Sequence, residues 1–266
     1  MDRRTFVFAG PALAALGSSV PARKMLGDKA GASAGGAQSV KERSVPVSRF
    51  GTDDQALRCA IATGVPQVEI DIPVTLASDV TLRSDQTLRF TAGRIIIPAG
   101  ATITEGGLYS RMGSNITLLD PIIDASAVQG GTTAILLADT VNARIQGGRL
   151  TRANLRLDGN KGIPSRTDVT GTVIDLAGSA GTALYLSGIH DVTISGVTCL
   201  NGLEGIGVYN KARRIVLRDC ISHGHRQDGF LIMVGQQITH TGCKAYDNGQ
   251  SGFTTQRQTG GNDSRL

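Results

Sequence analysis

Residues 191–256 contain three versions of one pattern: DVTISGVTCLNGLEGIGVYN (191–210), RRIVLRDCISHGHRQDGFLIM (213–233) and QQITHTGCKAYDNGQSGFTTQ (236–256). Each version begins with an alternating apolar pair, continues with a second pair of small or apolar residues, and reaches a glycine before a third short run. These glycines, Gly205, Gly229 and Gly252, are 24 and 23 residues apart. Three short strands in a period of this length indicate one coil of a parallel β-helix, since paired-helix repeats and propeller blades are longer.

In such a coil each strand lies about 4.8 Å from its counterpart in the next coil, and inward side chains stack in columns. Glycines are expected where φ is positive or where backbones approach closely. We therefore predict an all-β chain that forms a single-stranded right-handed parallel β-helix, with three strands per coil and about eight coils from Val65 to Gln256. His240 falls at an inward position and is predicted to be a core residue. A β-sandwich with coincidental spacing is the alternative.

Five segments follow from the pattern of composition. Residues 1–22 resemble a twin-arginine export signal, with Arg3-Arg4 before a weakly apolar stretch and a small-residue cleavage site after Ala22. This signal implies a periplasmic or secreted bacterial protein, and an ordinary secretory signal is the alternative. The remaining segments are a flexible linker (23–47), an N-terminal cap (48–64), the β-helix (65–257) and a C-terminal tail (258–266).

The charge of the chain lies mostly at its N-terminus. Residues 1–43 hold seven basic and three acidic side chains, which is +4 of the total formal charge of +5. The remainder is nearly neutral, so we predict no nucleic-acid partner. No apolar run of about 18 residues occurs, so no membrane association is predicted after removal of the signal.

The four cysteines permit disulfides in an exported protein, but we predict free thiols. Cys220 and Cys243 fall on inward positions of neighbouring coils, where cysteine acts as a small apolar residue. No spacing matches a metal site, so neither a metal nor another cofactor is predicted, and calcium has no supporting motif. After Phe253 no covering segment is apparent, so self-association through the C-terminal coil is expected.

Reactive side chains are concentrated between residues 209 and 228. This mixture of imidazoles, a phenol and cations suits chemistry on acidic polysaccharides. Removal of the proton alpha to a uronate carboxylate, for example, requires a base, a proton donor and cations that neutralise the carboxylate. Ordinary turn composition is the alternative explanation of the cluster. The excursion predicted at 155–168 is a second place where binding groups are expected. The predicted catalytic residues are His223, His225 and Tyr209, and the predicted substrate-binding residues are Lys211, Arg213, Arg214, Arg226 and Asp228.

Two stretches resemble known families. Residues 49–63 are predicted to be a helix with a Thr52/Gln55 capping box, and FGTDDQAL (50–57) resembles the capping segment that opens many pectin-lyase-like β-helix proteins. The repeats at 217–230 and 245–253 resemble those of mannuronan C5-epimerases and related alginate-acting enzymes. Their Asp-Pro-His-Glu signature is absent, because 205–210 reads GIGVYN.

The resemblance implies an exported lyase or epimerase that acts on an acidic, uronate-containing polysaccharide. A non-catalytic β-helix that binds polysaccharide is the first alternative. A polygalacturonase-like glycoside hydrolase is the second, with His223-Gly224-His225 matching only part of its motif. The repeat specifies the fold better than the reaction.

Overall fold

A computed structural model of the chain describes residues 42–160 and 162–256. The predicted export signal, the predicted C-terminal tail and most of the predicted linker lie outside these residues. Within them, three parallel sheets run along a β-helix, as predicted from the period. Two of the sheets have eight strands, in agreement with about eight predicted coils, and the other has nine.

The strands of each sheet recur once per coil. Sheet 1 contains β1 (Ser44–Pro46), β2 (Gln67–Ile70), β5 (Thr87–Phe90), β8 (Thr117–Leu119), β11 (Arg144–Gln146), β14 (Thr167–Thr170), β17 (His190–Ser195), β20 (Arg213–Arg218) and β23 (Gln236–Thr241). Sheet 2 contains β4 (Val80–Thr81), β7 (Leu108–Arg111), β10 (Thr132–Ala138), β13 (Ala153–Asp158), β16 (Thr182–Ser187), β19 (Glu204–Tyr209), β22 (Phe230–Met233) and β25 (Phe253–Gln256). Sheet 3 contains β3 (Val74–Thr75), β6 (Ile95–Ile96), β9 (Ile122–Asp124), β12 (Arg149–Thr151), β15 (Val173–Asp175), β18 (Thr198–Leu200), β21 (Ile221–His223) and β24 (Lys244–Tyr246).

The core consists of columns of inward side chains, one above another. In sheet 2 the register joins Leu108, Ile135, Leu155, Leu184, Ile206, Phe230 and Phe253. Phe230 and Phe253 stack with their ring centroids 4.5 Å apart. Alternation along each short strand thus supplies one continuous apolar core, which is why a period of two within strands predicts the interior correctly.

The three glycines that define the repeat form a column. The amide of Ile206 donates to the carbonyl of Gly229 (2.9 Å), and the amide of Phe230 donates to the carbonyl of Gly252 (2.9 Å). None of the three has a positive φ. A Cβ at Gly205 would overlap the hydroxyl oxygen of Ser222 and the carbonyl oxygen of Gly229. Close approach of neighbouring coils therefore requires glycine here, rather than an unusual turn.

The helix α1 spans Asp54–Ala62 and buries Leu57, Ala60 and Ile61, the predicted apolar face. It contacts β3 and β4, the first strands of sheets 3 and 2. The helix was predicted to begin at Arg49 and begins at Asp54 instead. The predicted N-cap was wrong by one residue, because Asp53, not Thr52, is the N-cap, and its carboxylate accepts from the amide of Ala56 (2.9 Å). An aspartate cap also places negative charge at the helix start.

Three further predictions need correction. Residues 44–46, predicted as linker, form β1 and pair with β2. The excursion begins after Asp158 and ends at Arg166, because Leu155 still belongs to β13. His240 continues the inward column of sheet 1 beyond Leu217, yet it is exposed. It lies in the last strand of sheet 1 and stacks against Phe253, at 5.2 Å between ring centroids.

Candidate functional site

The predicted cluster is divided among different faces of the β-helix. Tyr209 ends β19 in sheet 2, Arg213 and Arg214 begin β20 in sheet 1, and His223 ends β21 in sheet 3. Stacking brings together residues about one period apart, whereas Tyr209 and His223 are separated by only part of a coil. Lys211 lies between sheets 2 and 1, while His225, Arg226 and Asp228 lie between sheets 3 and 2. The eight residues therefore do not form a single site.

His225 has the contacts of a structural residue. It is 2% exposed, and the amide of Gly202 donates to its Nδ1 (3.1 Å). Its Nε2 must therefore carry the proton, which it donates to the carbonyl of Cys199 (3.1 Å). Burial lowers the pKa of His225 below its ordinary value. A neutral imidazole with both nitrogens bound to the backbone is not available as a catalytic base.

His225→Ala is expected to lower the free energy of unfolding by about 3 kcal/mol, because it leaves the Gly202 amide and the Cys199 carbonyl without partners. His223→Ala is the matched control. His223 is half-buried and stacks on Tyr246 at 4.7 Å between ring centroids, so its loss should cost less than about 1 kcal/mol. Urea unfolding followed by circular dichroism measures both. Equal losses in the two variants would contradict the structural role of His225.

The same residue gives the stability a pH dependence. Since the folded-state pKa of His225 is lowered, the unfolded chain binds more protons, and stability falls as the pH decreases below the ordinary histidine value of about 6.5. Burial also lowers the pKa of His190, so His190 adds a pH dependence of the same sign to the stability of both proteins. This contribution cancels when wild type and His225→Ala are compared. The difference between wild type and His225→Ala should therefore shrink as the pH falls. A difference that is constant with pH would contradict this assignment.

Three of the remaining predicted residues, Arg214, Arg226 and Asp228, make contacts at the surface or beside sheet 2. Arg214 forms a two-point ion pair with Asp191, with Nη2 to Oδ2 at 2.8 Å. Arg226 donates to the carbonyl of Ser179 (3.4 Å), and Asp228 accepts from the hydroxyl of Thr254 (2.7 Å). Ile206 and Phe230 are register partners, and two residues before them Asp228 lies one coil beyond Glu204. Arg226 and Asp228 thus border the outer surface of sheet 2.

That outer surface carries a stacked aromatic pair. The rings of Tyr185 and Tyr209 lie 4.6 Å apart between centroids, and the guanidinium of Arg156 lies 4.9 Å from the Tyr185 centroid. Gly207 makes this possible, because a side chain there would overlap the Tyr209 ring. We call the surface formed by Arg156, Asp158, Thr182, Tyr185, Glu204 and Tyr209 the tyrosine face.

A carboxyl group lies at each end of the aromatic pair. The phenol of Tyr209 donates to Glu204 Oε2, which also accepts from the hydroxyl of Thr182 (2.7 Å). Burial is the main reason that the pKa of Tyr209 is raised, and the carboxylate of Glu204 adds to it. Tyr209 therefore remains a phenol and can only give a proton. At the other end, Arg156 Nε donates to Asp158 Oδ2 (2.8 Å), which leaves its terminal nitrogens available.

Asp158 is held mostly out of water. Burial raises its pKa above the ordinary aspartate value in spite of the neighbouring Arg156. The tyrosine face therefore presents one cation, two stacked phenol rings and two carboxyl groups in different environments. Aromatic faces pack on sugar rings, and guanidinium groups bind carboxylates with paired hydrogen bonds.

Five of the six residues of the tyrosine face were not among the predicted site residues: Arg156, Asp158, Thr182, Tyr185 and Glu204. A signal existed, because Tyr185 and Tyr209 are 24 residues apart, which is one coil. Reading the period at exposed positions as well as at inward ones would have paired them. Only Tyr209 was identified, and its partners had been sought in the wrong strand.

Two cysteines stack between sheets 1 and 3. Cys220 and Cys243 precede paired positions of β21 and β24, and the amide of Lys244 donates to the carbonyl of Cys220 (2.8 Å). All four cysteines are free thiols, with Cys220 buried and Cys243 half-buried. The interaction between the two thiol groups lowers the pKa of Cys243 and raises that of Cys220. Cys243 is thus the more reactive of the two.

We expect iodoacetamide at pH 7 to alkylate Cys243 before Cys220. Cys220→Ala should slow this reaction about threefold to tenfold, because the pKa of Cys243 then rises towards its ordinary value. Mass spectrometry of peptides follows each cysteine, and Cys59 in α1 serves as the internal reference. An unchanged rate at Cys243 in the variant would show that Cys220 does not activate it.

Among residues 42–160 and 162–256, no group of three or more His, Cys, Asp and Glu side chains is arranged to hold a metal ion. Over the same residues, no helix has both the length and the apolar character needed to cross a bilayer.

The fold and the tyrosine face together define a right-handed parallel β-helix whose sheet 2 carries an aromatic and charged surface. A family model described as "Right handed beta helix region" matches residues 163–264. A comparison with curated protein sequences gives no match. The sequence therefore identifies the architecture but not a particular protein.

Solved structures of similar shape include carbohydrate-related proteins. The A-module of the Azotobacter vinelandii mannuronan C-5 epimerase AlgE4 has 14% identity and a TM-score of 0.57, over 78% of this chain and 73% of the module. The AlgE6 A-module of the same organism has 15% identity and a TM-score of 0.45, over 78% and 71%. A Parabacteroides merdae protein, provisionally described as a glycosyl hydrolase, has 14% identity and a TM-score of 0.47, over 76% and 95%. At such identities the similarity is one of fold alone.

Proposed function

We propose that this protein acts on an acidic, uronate-containing polysaccharide bound across the tyrosine face, as a lyase or epimerase. The observation that carries the proposal is the unbroken series of contacts from Arg156 through Tyr185 and Tyr209 to Glu204. A cation for a carboxylate, an aromatic platform for a sugar ring and a proton-transfer pair lie next to one another. Fold similarity to an epimerase module is in keeping with this chemistry but does not specify it.

Both reactions begin with the same step. The terminal nitrogens of Arg156 pair with the uronate carboxylate and favour the charge that develops when the C5 proton leaves. Glu204 accepts this proton. In a lyase, the C4–C5 double bond forms while the C4–O bond breaks, and Tyr209 gives its proton to the departing oxygen. In an epimerase, Glu204 keeps the proton that it took, and Tyr209 instead gives its own proton to C5 on the opposite side.

Two features match these roles. The phenol of Tyr209 carries a proton and is hydrogen-bonded to Glu204, so a proton donor and a proton acceptor lie side by side. Glu204 holds hydrogen bonds from Tyr209 and Thr182, so its carboxylate is fixed in orientation before substrate arrives. A preorganised acceptor of this kind loses little in reorganisation during the reaction.

A second reaction class, glycoside hydrolysis, has its own supporting observation. Hydrolysis of a glycosidic bond uses one carboxylic acid with a raised pKa and one carboxylate. Asp158 has a raised pKa, and Glu204 lies on the same face. A lyase makes unsaturated uronate, whereas a hydrolase makes saturated reducing ends, so the products separate the two.

The test is incubation of the protein from residue 23 onward with alginate, pectate and bacterial exopolysaccharides. Ultraviolet absorption from unsaturated uronate indicates a lyase, and incorporation of solvent deuterium at C5 indicates an epimerase. New reducing ends without unsaturation indicate a hydrolase. Binding without any of these products favours the non-catalytic β-helix and contradicts the proposed activity.

We also propose that the chain is exported before it acts. The Arg3-Arg4 signal supports this, and export would bring the tyrosine face into contact with extracellular polysaccharide. The measurement is the N-terminal residue of the protein recovered from periplasm or medium, which should be Arg23. Retention of Met1 in the recovered protein would contradict cleavage after Ala22.

A further inference from the structure

The corner between sheets 2 and 1 contains a column of residues with left-handed backbone. Each lies two residues before a register-matched position of sheet 1, and their φ values range from 50° to 60°. Glycine and asparagine tolerate this conformation best, so an arginine in it is uncommon. The column contains Asp85, Asn115, Asn142, Arg166, Asp191, Arg214 and Gln237.

Side-chain bonds join two groups within this column, one on each side of Arg166. Asn115 Nδ2 donates to Asp85 Oδ1 (2.6 Å), and Asn142 Nδ2 donates to Asn115 Oδ1 (3.1 Å). Further along, Arg214 and Asp191 form their two-point ion pair. Between these two closed groups, the guanidinium of Arg166 has no hydrogen bond or ion pair with any described residue. The amide oxygen of Asn142 is likewise without a described donor.

The adjoining outward column of sheet 1 also lacks a side-chain bond next to Arg166. Arg144 and Asp168 are register partners in β11 and β14, one coil apart. They nevertheless form no ion pair, whereas Asp191 and Arg214, also one coil apart, do. A depression of about 530 Å³ lies at this interruption, and it is lined by Asn115, Thr117, Asn142, Arg144, Arg166 and Asp168.

We propose that this depression binds an acidic sugar residue at a second, non-catalytic site. The two guanidinium groups of Arg144 and Arg166 suit a carboxylate, and the Asn142 amide oxygen and the Asp168 carboxylate accept hydrogen bonds from hydroxyl groups. A sugar acid offers a carboxylate and several hydroxyls on one small ring. A simple inorganic anion satisfies the arginines but offers no hydroxyl donor to Asn142 and Asp168, so it fits less well.

The site is independent of the tyrosine face, because it lies on sheet 1 rather than on sheet 2. Its residues have no role in the reaction proposed above. A second sugar site lets the protein hold its polysaccharide while the segment at the reactive site is exchanged for another. Such retention is expected when two weak sites bind the same polysaccharide chain.

The experiment is an NMR titration of the protein from residue 23 onward with a mannuronate trimer, observing the backbone amides of β11 and β14. We expect these amides to shift with wild-type protein. In the double variant Arg144→Gln, Arg166→Gln, the affinity measured at these amides should fall at least about tenfold. Arg218→Gln is the matched control, since Arg218 is exposed on sheet 1 in the neighbouring outward column, and it should bind as wild type.

Two further ligands define the chemistry. A neutral mannose trimer should produce little shift in β11 and β14, because it lacks the carboxylate. Inorganic sulfate should bind more weakly than the mannuronate trimer. Equal binding by sulfate, equal binding by the neutral trimer, or unchanged affinity in the double variant would each overturn the proposal. Amides of β16 and β19 report the tyrosine face separately, so failure of one site is distinguishable from failure of the other.

Discussion

Glu204→Gln is expected to lower turnover of a uronate polymer by about 100-fold to 10,000-fold, the range for loss of a positioned proton-transfer group. Glutamine keeps the length of the side chain, and its amide oxygen still accepts from the phenol of Tyr209. The amide cannot take up a proton from C5. The initial rate with the best substrate of the polysaccharide screen measures the effect, while NMR at β16 and β19 measures binding.

The matched control is Glu105→Gln. Glu105 precedes the first long strand of sheet 2 and forms an ion pair with Arg111, outside the tyrosine face. Its replacement should leave turnover unchanged. Tyr209→Phe is the companion variant and should reduce lyase activity, since it removes the proton donor but keeps the ring stacked on Tyr185. If Glu204→Gln lowers turnover by less than about twofold, the loss is far smaller than that expected for a missing acid or base. Glu204 would then be excluded as the proton acceptor.

Gly205→Ala is expected to lower the free energy of unfolding by about 3 kcal/mol, the upper part of the usual range for overpacking. The added methyl group meets the backbone of the next coil at Gly229 and the buried hydroxyl of Ser222. That hydroxyl itself donates to the carbonyl of Gly229 (2.6 Å), so it has little freedom to move. Relief would require separation of two coils along a line of hydrogen bonds.

Gly178→Ala provides the comparison. Gly178 has a φ of +79° and no atom within 4 Å of an added Cβ. The cost there should be that of left-handed backbone alone, about 1 kcal/mol. Chemical denaturation of both variants, followed by circular dichroism, tests the difference. Equal costs at the two positions would mean that neighbouring coils are not closely packed at Gly205.

The fold was predictable because its repeat is visible in the order of residue types. Gly205, Gly229 and Gly252 mark the period, and inward alternation supplies the core. The helix α1 was predictable from its apolar face, while its N-cap was displaced by one residue because Thr52 and Asp53 both suit that position.

The candidate site was less predictable because sequence proximity and spatial proximity differ in a solenoid. Tyr209 and His223 are near one another in sequence and lie on different sheets, whereas Tyr185 and Tyr209 are a full coil apart and stack. The structural role of His225 was not predictable for a different reason. Its burial depends on how the turn after β21 folds back onto Gly202 and Cys199, and residue types in the turn do not specify this.

The excursion between β13 and β14 has a consequence for how this protein could diverge. Asp158 of the tyrosine face stands at one end of it, and Arg166 of the depression on sheet 1 stands at the other. Lengthening or shortening this single connection would alter the surroundings of both residues while the stacked coils stayed intact. Evolution could thus change both of the proposed sugar-binding surfaces through one insertion or deletion, without altering the coils that carry them.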